Sequence, residues 1–192
     1  MHSSTIFTAL RLFVIMTILT GVMYPAMVTI AGYAAFPQQA CGSIIKKNST
    51  AIGSLLIAQS PPDTGYFLPR PSAGNYATTP SAASNYALSS VALHDIVLQR
   101  SAKYGKPIGQ LPSDLVFSSG SGLDPHISPE AARFQADRIA RVRGLSGKEV
   151  DELDAMIDKH TEKPQFGILG DARVNVLLLN IDLDNIKFTA IE

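Results

Sequence analysis

The stretch Ser118–Leu145, SSGSGLDPHISPEAARFQADRIARVRGL, decides how the rest of the chain is read, because it joins a Ser/Gly loop to a helix marked at both ends. Ser128 is a strong N-cap, Pro129 falls at the first helical position where a missing N–H costs nothing, and Glu130 sets negative charge in the first turn. Gly144 supplies the stop, while Arg138, Arg141 and Arg143 complement the carbonyl end of the helix dipole. Ala132, Ala136, Ile139 and Ala140 share one apolar stripe of this helix. Gln135 lies within the stripe, so an amide is expected to face inward and to need a partner there.

Working outward, Ser146 and Glu149 form a capping box for a further helix whose apolar face is Val150, Leu153 and Ile157. Its Asp151, Glu152, Asp154 and Asp158 read as a solvated face, not a metal site. Val174–Leu183, VNVLLLNIDL, follows a Gly170-Asp171 turn and is expected as a buried strand, with a helix as the alternative. On the other side, Leu115–Phe117 and Ser54–Gln59 are short strand candidates. Ser89 or Ser90 caps a helix running to about Lys103, with Leu93, Ile96 and Val97 on one face and His94 solvated.

Between Ser60 and Ser90 the chain carries Pro61, Pro62, Pro69, Pro71 and Pro80 and shows no helical period. Tyr66, Phe67, Tyr76 and Tyr86 give it more aromatic surface than a spacer needs, so an ordered extended segment is expected, packed on the domain or on a partner. Arg70, between two prolines that hold the backbone extended, is presented either to a partner or to an intradomain salt bridge or carbonyl.

Sixteen basic and sixteen acidic side chains give no sign of a nucleic-acid partner. The distribution matters more. No charged side chain lies between Arg11 and Lys46, and Leu12–Ala35 exceeds the ~20 apolar residues that a spanning helix needs. The run is too long for a signal peptide, whose apolar core ends by about 15 residues. Cys41 lacks the preceding pattern that lipid attachment requires. Thr17, Thr20, Gly21 and Ala26 leave room for a second helix, and Pro25 frees a carbonyl for a neighbour. One cysteine excludes an intrachain disulfide framework. The expected organisation is an N-terminal tail over 1–11, a transmembrane helix over 12–36, a connector over 37–53 and a single α+β domain over 54–192, built from short strands and two to three helices.

The sequence offers the elements of three chemistries, each incomplete. Gly120-Ser121-Gly122 invites a phosphate-cradle reading, but Pro125 stands where a dinucleotide fingerprint needs glycine, and no Lys-Ser or Lys-Thr pair makes a P-loop. A hydrolase would recruit Ser119 or Ser121 with His126 and Asp124, yet these lie too close in sequence for the needed orientation, and no Gly-x-Ser-x-Gly elbow exists. His2, His94, His126 and His160 show no paired ligand spacing, so no metal is expected. A solitary membrane-tethered binding module is the remaining alternative.

The anchor, the Tyr66-Phe67-Leu68-Pro69-Arg70-Pro71-Ser72-Ala73 stretch, the Ser84-Asn85 turn, the run from Ser121 to Pro129, and Val174-Asn175-Val176 before Leu179-Asn180 together resemble the C subunit family of the Kdp potassium-transporting P-type ATPase. The resemblance covers almost the whole chain. It implies a single-pass protein of the bacterial inner membrane, without catalytic residues or a cofactor of its own, assembled with a channel-like potassium-binding subunit and a catalytic ATPase subunit. The chain lacks the Asp-Lys-Thr-Gly-Thr motif of such pumps and the Thr-Val-Gly-Tyr-Gly potassium filter. The family is also credited with raising the ATP affinity of the catalytic subunit as a catalytic chaperone. On that view Ser118, Ser119, Gly120, Ser121, Gly122 and Gln135 are the nucleotide-side candidates, with ATP shared with the catalytic subunit. The family's architecture places the soluble domain on the periplasmic side, away from cytoplasmic ATP, which makes the effect an indirect coupling.

Overall fold

The structure, a computed structural model, describes residues 2–185, with side chains from Ser4 onward. The chain divides into two compact units, residues 1–44 and 45–192. In the first, helix α1 (His2–Ile18) passes through a π-helical turn, Leu19–Met23, into α2 (Tyr24–Ala35). Pro25 accounts for the widening: lacking an N–H, it cannot bond the Gly21 carbonyl, and its ring crowds that turn. The ladder lengthens locally, with the Tyr24 N–H reaching the Leu19 carbonyl. Ser4–Ala35 spans 32 residues with a mean hydropathy of 2.1, long and apolar enough to cross a membrane. The helix includes Arg11 and reaches back to His2, so most of residues 1–11 is helical. A single turn, α3 (Pro37–Ala40), follows.

The second unit is a mixed α+β domain. It opens with a hairpin of β1 (Ile44–Lys47) and β2 (Thr50–Ser54), joined through Asn48 and Ser49, both at positive φ as a two-residue hairpin turn requires. The strand expected over Ser54–Gln59 therefore lies earlier. At Ser54 the hydroxyl accepts the Leu56 N–H at 3.1 Å and turns the chain instead.

Helix α4 (Val91–Ala102) starts after Ser90 and buries Val97, as its spacing predicts, and His94 is exposed. Residues expected as a strand at Leu115–Phe117 form a one-turn helix, α5 (Ser113–Val116), following Pro112, which suits a helix start. A three-stranded antiparallel sheet then forms from β3 (His126–Ile127), β4 (Thr161–Glu162) and β5 (Arg173–Asn175), in the order β3-β5-β4. His126 pairs with Asn175 and Ile127 with Val174, and Thr161 lies across Val174 on the other side.

Helix α6 (Pro129–Arg143) has the ends its residues specify: Ser128 Oγ accepts the Ala131 N–H at 3.1 Å, and Gly144 closes it in the left-handed region. Helix α7 (Lys148–Lys159) buries Leu153 and Ile157 and leaves its acidic face exposed; the Glu149 carboxylate reaches back to the Ser146 N–H at 3.1 Å.

The run from Val174 to Leu183 is a strand for only two residues, and Val176–Asn185 is helix α8. Asn175 makes the break, its Oδ1 accepting the Leu177 and Leu178 N–H groups at 3.1 and 3.2 Å as a cap. Val176, Leu179 and Leu183 are then buried at helical spacing. Among the described residues this raises the helices of ten or more residues in the second unit to four. The main core joins α6, α7, α8 and the sheet around Ile127, Ile139, Leu153, Ile157, Val174 and Leu179, with Phe67 inserted from the proline-rich segment.

Candidate functional site

The proline-rich segment is ordered, and between Thr64 and Leu68 every carbonyl is taken by a side chain. Arg138 donates to the Thr64 and Tyr66 oxygens, the latter at 2.9 Å, and Arg143 to the Gly65 oxygen at 2.8 Å. Asn180, on α8, accepts the Phe67 N–H at 2.8 Å and donates to the Phe67 oxygen at 3.0 Å. Gln135, on α6, does the same for Leu68, at 2.8 and 3.1 Å. Two carboxamides thus replace the strand neighbours that an extended segment would otherwise need, and satisfy backbone groups that would be costly to bury unpaired. The inward amide expected at position 135 has its partner: it is 1% exposed, and its Oε1 also accepts from Arg138 at 2.9 Å. Burial lowers the pKa of Arg138, which still remains a cation in any ordinary buffer.

Beyond Leu68 the strap is held by charge and by the Ser/Gly loop. The Arg70 guanidinium lies 3.6 Å from Asp114 and 3.4 Å from Asp124, so it serves an intradomain ion pair. The Tyr76 hydroxyl donates to the Arg70 oxygen at 3.1 Å. The Ser119 N–H donates to the Pro71 oxygen at 3.0 Å, and Ser119 is buried. Ser118 Oγ accepts from Arg100 at 2.9 Å. Gly122, at φ +73, is required by both conformation and space, since a Cβ there would collide with the Ala82 carbonyl oxygen. Gly120 and Ser121 are exposed, with Ser121 Oγ accepting the Leu123 N–H at 3.1 Å.

Of the six nucleotide-side candidates, the structure brings Ser119 and Gln135 onto the same strap, at Pro71 and Leu68, without converging all six on one solvent-facing position. Ser118 instead lines a cavity of about 520 Å³ with Arg100, Lys103, Ser72, Ser84 and Tyr86.

Asp124 accepts the His126 N–H at 3.0 Å and stands 3.6 Å from its Nδ1. The neighbouring His126 side chain, foremost, holds the Asp124 carboxyl below the usual carboxylate range, with the His126 N–H and Arg70 adding to it and burial opposing. Arg70, Asp114, Asp124, His126 and Arg173 line a polar cavity of about 510 Å³. Ser119 and Ser121 spend their hydroxyls on the Asp124 and Leu123 N–H groups, and among the described residues neither bonds to His126. No group of three His, Cys, Asp or Glu among the described residues is placed to hold a metal. The clamp role of Asn180 is not legible from the sequence, where it is one of two amides, with Asn175, in a mostly apolar run.

Comparison with known proteins agrees over nearly the whole length. Residues 6–185 match the family model described as KdpC, K+-transporting ATPase, c chain. A "Potassium-transporting ATPase KdpC subunit" of Rhodospirillum rubrum is 48% identical over 186 residues, covering 94% of this chain and 95% of the relative. Proteins of the same name from Polaromonas naphthalenivorans and Pseudomonas syringae pv. tomato are 47% and 45% identical, covering 93% and 96% of this chain and 93% and 95% of their own lengths. With an apolar helix at one end, a strap-bearing α+β domain behind it and a match across both, the chain belongs to the KdpC family of K+-transporting ATPase subunits.

Proposed function

We propose that this chain is the accessory, non-catalytic subunit of an ATP-driven, high-affinity potassium uptake complex. It is anchored in the bacterial inner membrane by the Ser4–Ala35 helix, with its soluble unit on the periplasmic side, and it stabilises the assembly of a channel-like potassium-binding subunit with a catalytic P-type ATPase subunit. The observation that carries this reading is the family match over residues 6–185 to proteins named as potassium-transporting ATPase subunits. These 192 residues contain neither a phosphorylation motif nor a potassium filter, which fits a supporting role. Deleting the gene should abolish growth at micromolar potassium, and full high-affinity uptake without it would overturn the reading. Orientation can be tested at Cys41, an exposed thiol just beyond α3. An impermeant maleimide should label it in intact spheroplasts, and protection until lysis would put the domain inside.

The same reading includes a catalytic-chaperone effect on ATP affinity, running through Ser118–Gly122 and Gln135. With the domain outside, this effect is a coupling between distant sites. Gly120 and Ser121 are the members open to a partner, and Gln135 acts by setting the strap through Leu68. Omitting the subunit from a reconstituted complex should raise the KM for ATP. An unchanged KM would leave the structural role and remove the chaperone one.

A further inference from the structure

The loop between β4 and β5 closes on itself. Gln165 and Leu169 exchange backbone hydrogen bonds at 2.9 Å each, the Gly167 N–H reaches the Pro164 oxygen at 3.0 Å, and Glu162 pairs with Arg173 at 2.9 Å at the base. This hairpin tip holds Phe166 at 91%, Ile168 at 81% and Leu169 at 58% exposure. Phe166 also sits at φ 55, a region that bulky side chains rarely adopt and that glycine would fill without strain. Neither its backbone conformation nor the core of this domain accounts for a phenylalanine there.

We propose that Phe166, Ile168 and Leu169 form a docking knob that seats in an apolar recess of another subunit of the same ATPase. Three observations select that occupant. The flanks carry no surplus positive charge, since Glu162 is spent on Arg173 and Asp171 offsets Lys163, and the tip has no Trp or Tyr. A lipid-binding loop would be expected to carry both basic flanks and interfacial aromatics. The knob exposes on the order of 400 Å², counting somewhat under 200 Å² for each large apolar side chain. That is about half of what one side of a free-standing interface needs, so two copies meeting tip to tip would not hold. A chain already tethered beside its partners needs no more, because the tether supplies the effective concentration.

The inference rests on membership of the ATPase complex, and the experiment tests the two separately. The full chain carrying a photoreactive p-benzoylphenylalanine in place of Phe166 is expressed with its partner subunits and irradiated in native membranes. An adduct to a larger subunit is expected. In parallel, the Phe166→Ser/Ile168→Ser double variant should retain about tenfold less of the other subunits than the unmodified chain after detergent extraction, with an unchanged circular dichroism melt. If the unmodified chain brings no partners, membership itself fails. If it does, while the knob crosslinks to lipid, to a second copy or to nothing and the double variant retains its partners in full, the knob inference alone is overturned.

Discussion

Two short connecting segments of this domain, residues 64–68 and 165–169, solve opposite problems. In the strap the backbone makes no regular ladder of its own, yet its carbonyls are bonded by Arg138, Arg143, Asn180 and Gln135, and Phe67 is wholly buried. In the tip the backbone is closed locally and Phe166 is 91% exposed. The difference teaches where each segment's partner lies. The strap has already met its partners within the domain, while the tip is closed by its own backbone hydrogen bonds and still carries apolar surface that this domain does not cover.

The sharpest way to break this contrast is to truncate each phenylalanine. Phe67→Ala should cost about 3–5 kcal/mol, the usual range for emptying a well-packed aromatic site. Phe166→Ala should change stability by no more than about 0.5 kcal/mol, since it leaves no cavity. Urea unfolding of the full chain in detergent, followed by far-ultraviolet circular dichroism, measures both. Equal effects would mean that the strap is not part of the core.

The next largest effect is expected at the amide clamp. Gln135→Leu leaves the Leu68 N–H and C=O without their partners, and should cost about 2–3 kcal/mol if the strap cannot reach water. Gln135→Glu keeps an acceptor for the Leu68 N–H but removes the donor to its oxygen, so it should recover part of the loss at neutral pH. No recovery would place the stabilisation in side-chain packing and not in the paired hydrogen bonds.

Smaller again is the cap on α8. Asn175→Ala removes the acceptor for two helix N–H groups and the donor to the Leu55 oxygen, at a cost of about 1–2 kcal/mol. Hydrogen exchange should quicken first in the opening turn of α8. If it quickens equally in α6, the helices open as one unit and the cap is not a local device.

Helix α6 was legible because its signals are local: Ser128, Pro129 and Gly144 specify its ends whatever surrounds it. The run from Val174 to Leu183 was not, because a predominantly apolar, β-branched run satisfies a strand and a buried helix alike, and the decision falls to the amide of Asn175. The inward direction of Gln135 could be read from its spacing, but its partner lies 67 residues away, and the companion clamp at Asn180 joins residues 113 apart. Such closures depend on the assembled tertiary fold. The tip is not legible for a related reason, since Gly167 and Gly170 mark a turn without showing which neighbouring side chains are left outside.

The smallest effect expected is on pH dependence, and it tests whether the charged end of the strap contributes as its amide end does. The Asp124 carboxyl is held below its usual range chiefly by the His126 side chain, with help from Arg70. A carboxyl that is harder to protonate folded than unfolded stabilises fully above the unfolded value, about pH 4, and loses that contribution as pH falls through the lower folded value. The side chain of Asp124 is 34% exposed, so solvent screening keeps the effect small. Asp182, lowered by Lys159 and His160, titrates in the same direction on α8, so the informative quantity is the difference between variant and parent. Asp124→Asn should flatten the acid limb of the stability curve below about pH 4 while leaving the Gln135 clamp intact. An acid limb identical to that of the parent would show that the strap is held by its buried amides alone and that the Arg70–Asp124 contact merely follows from its position.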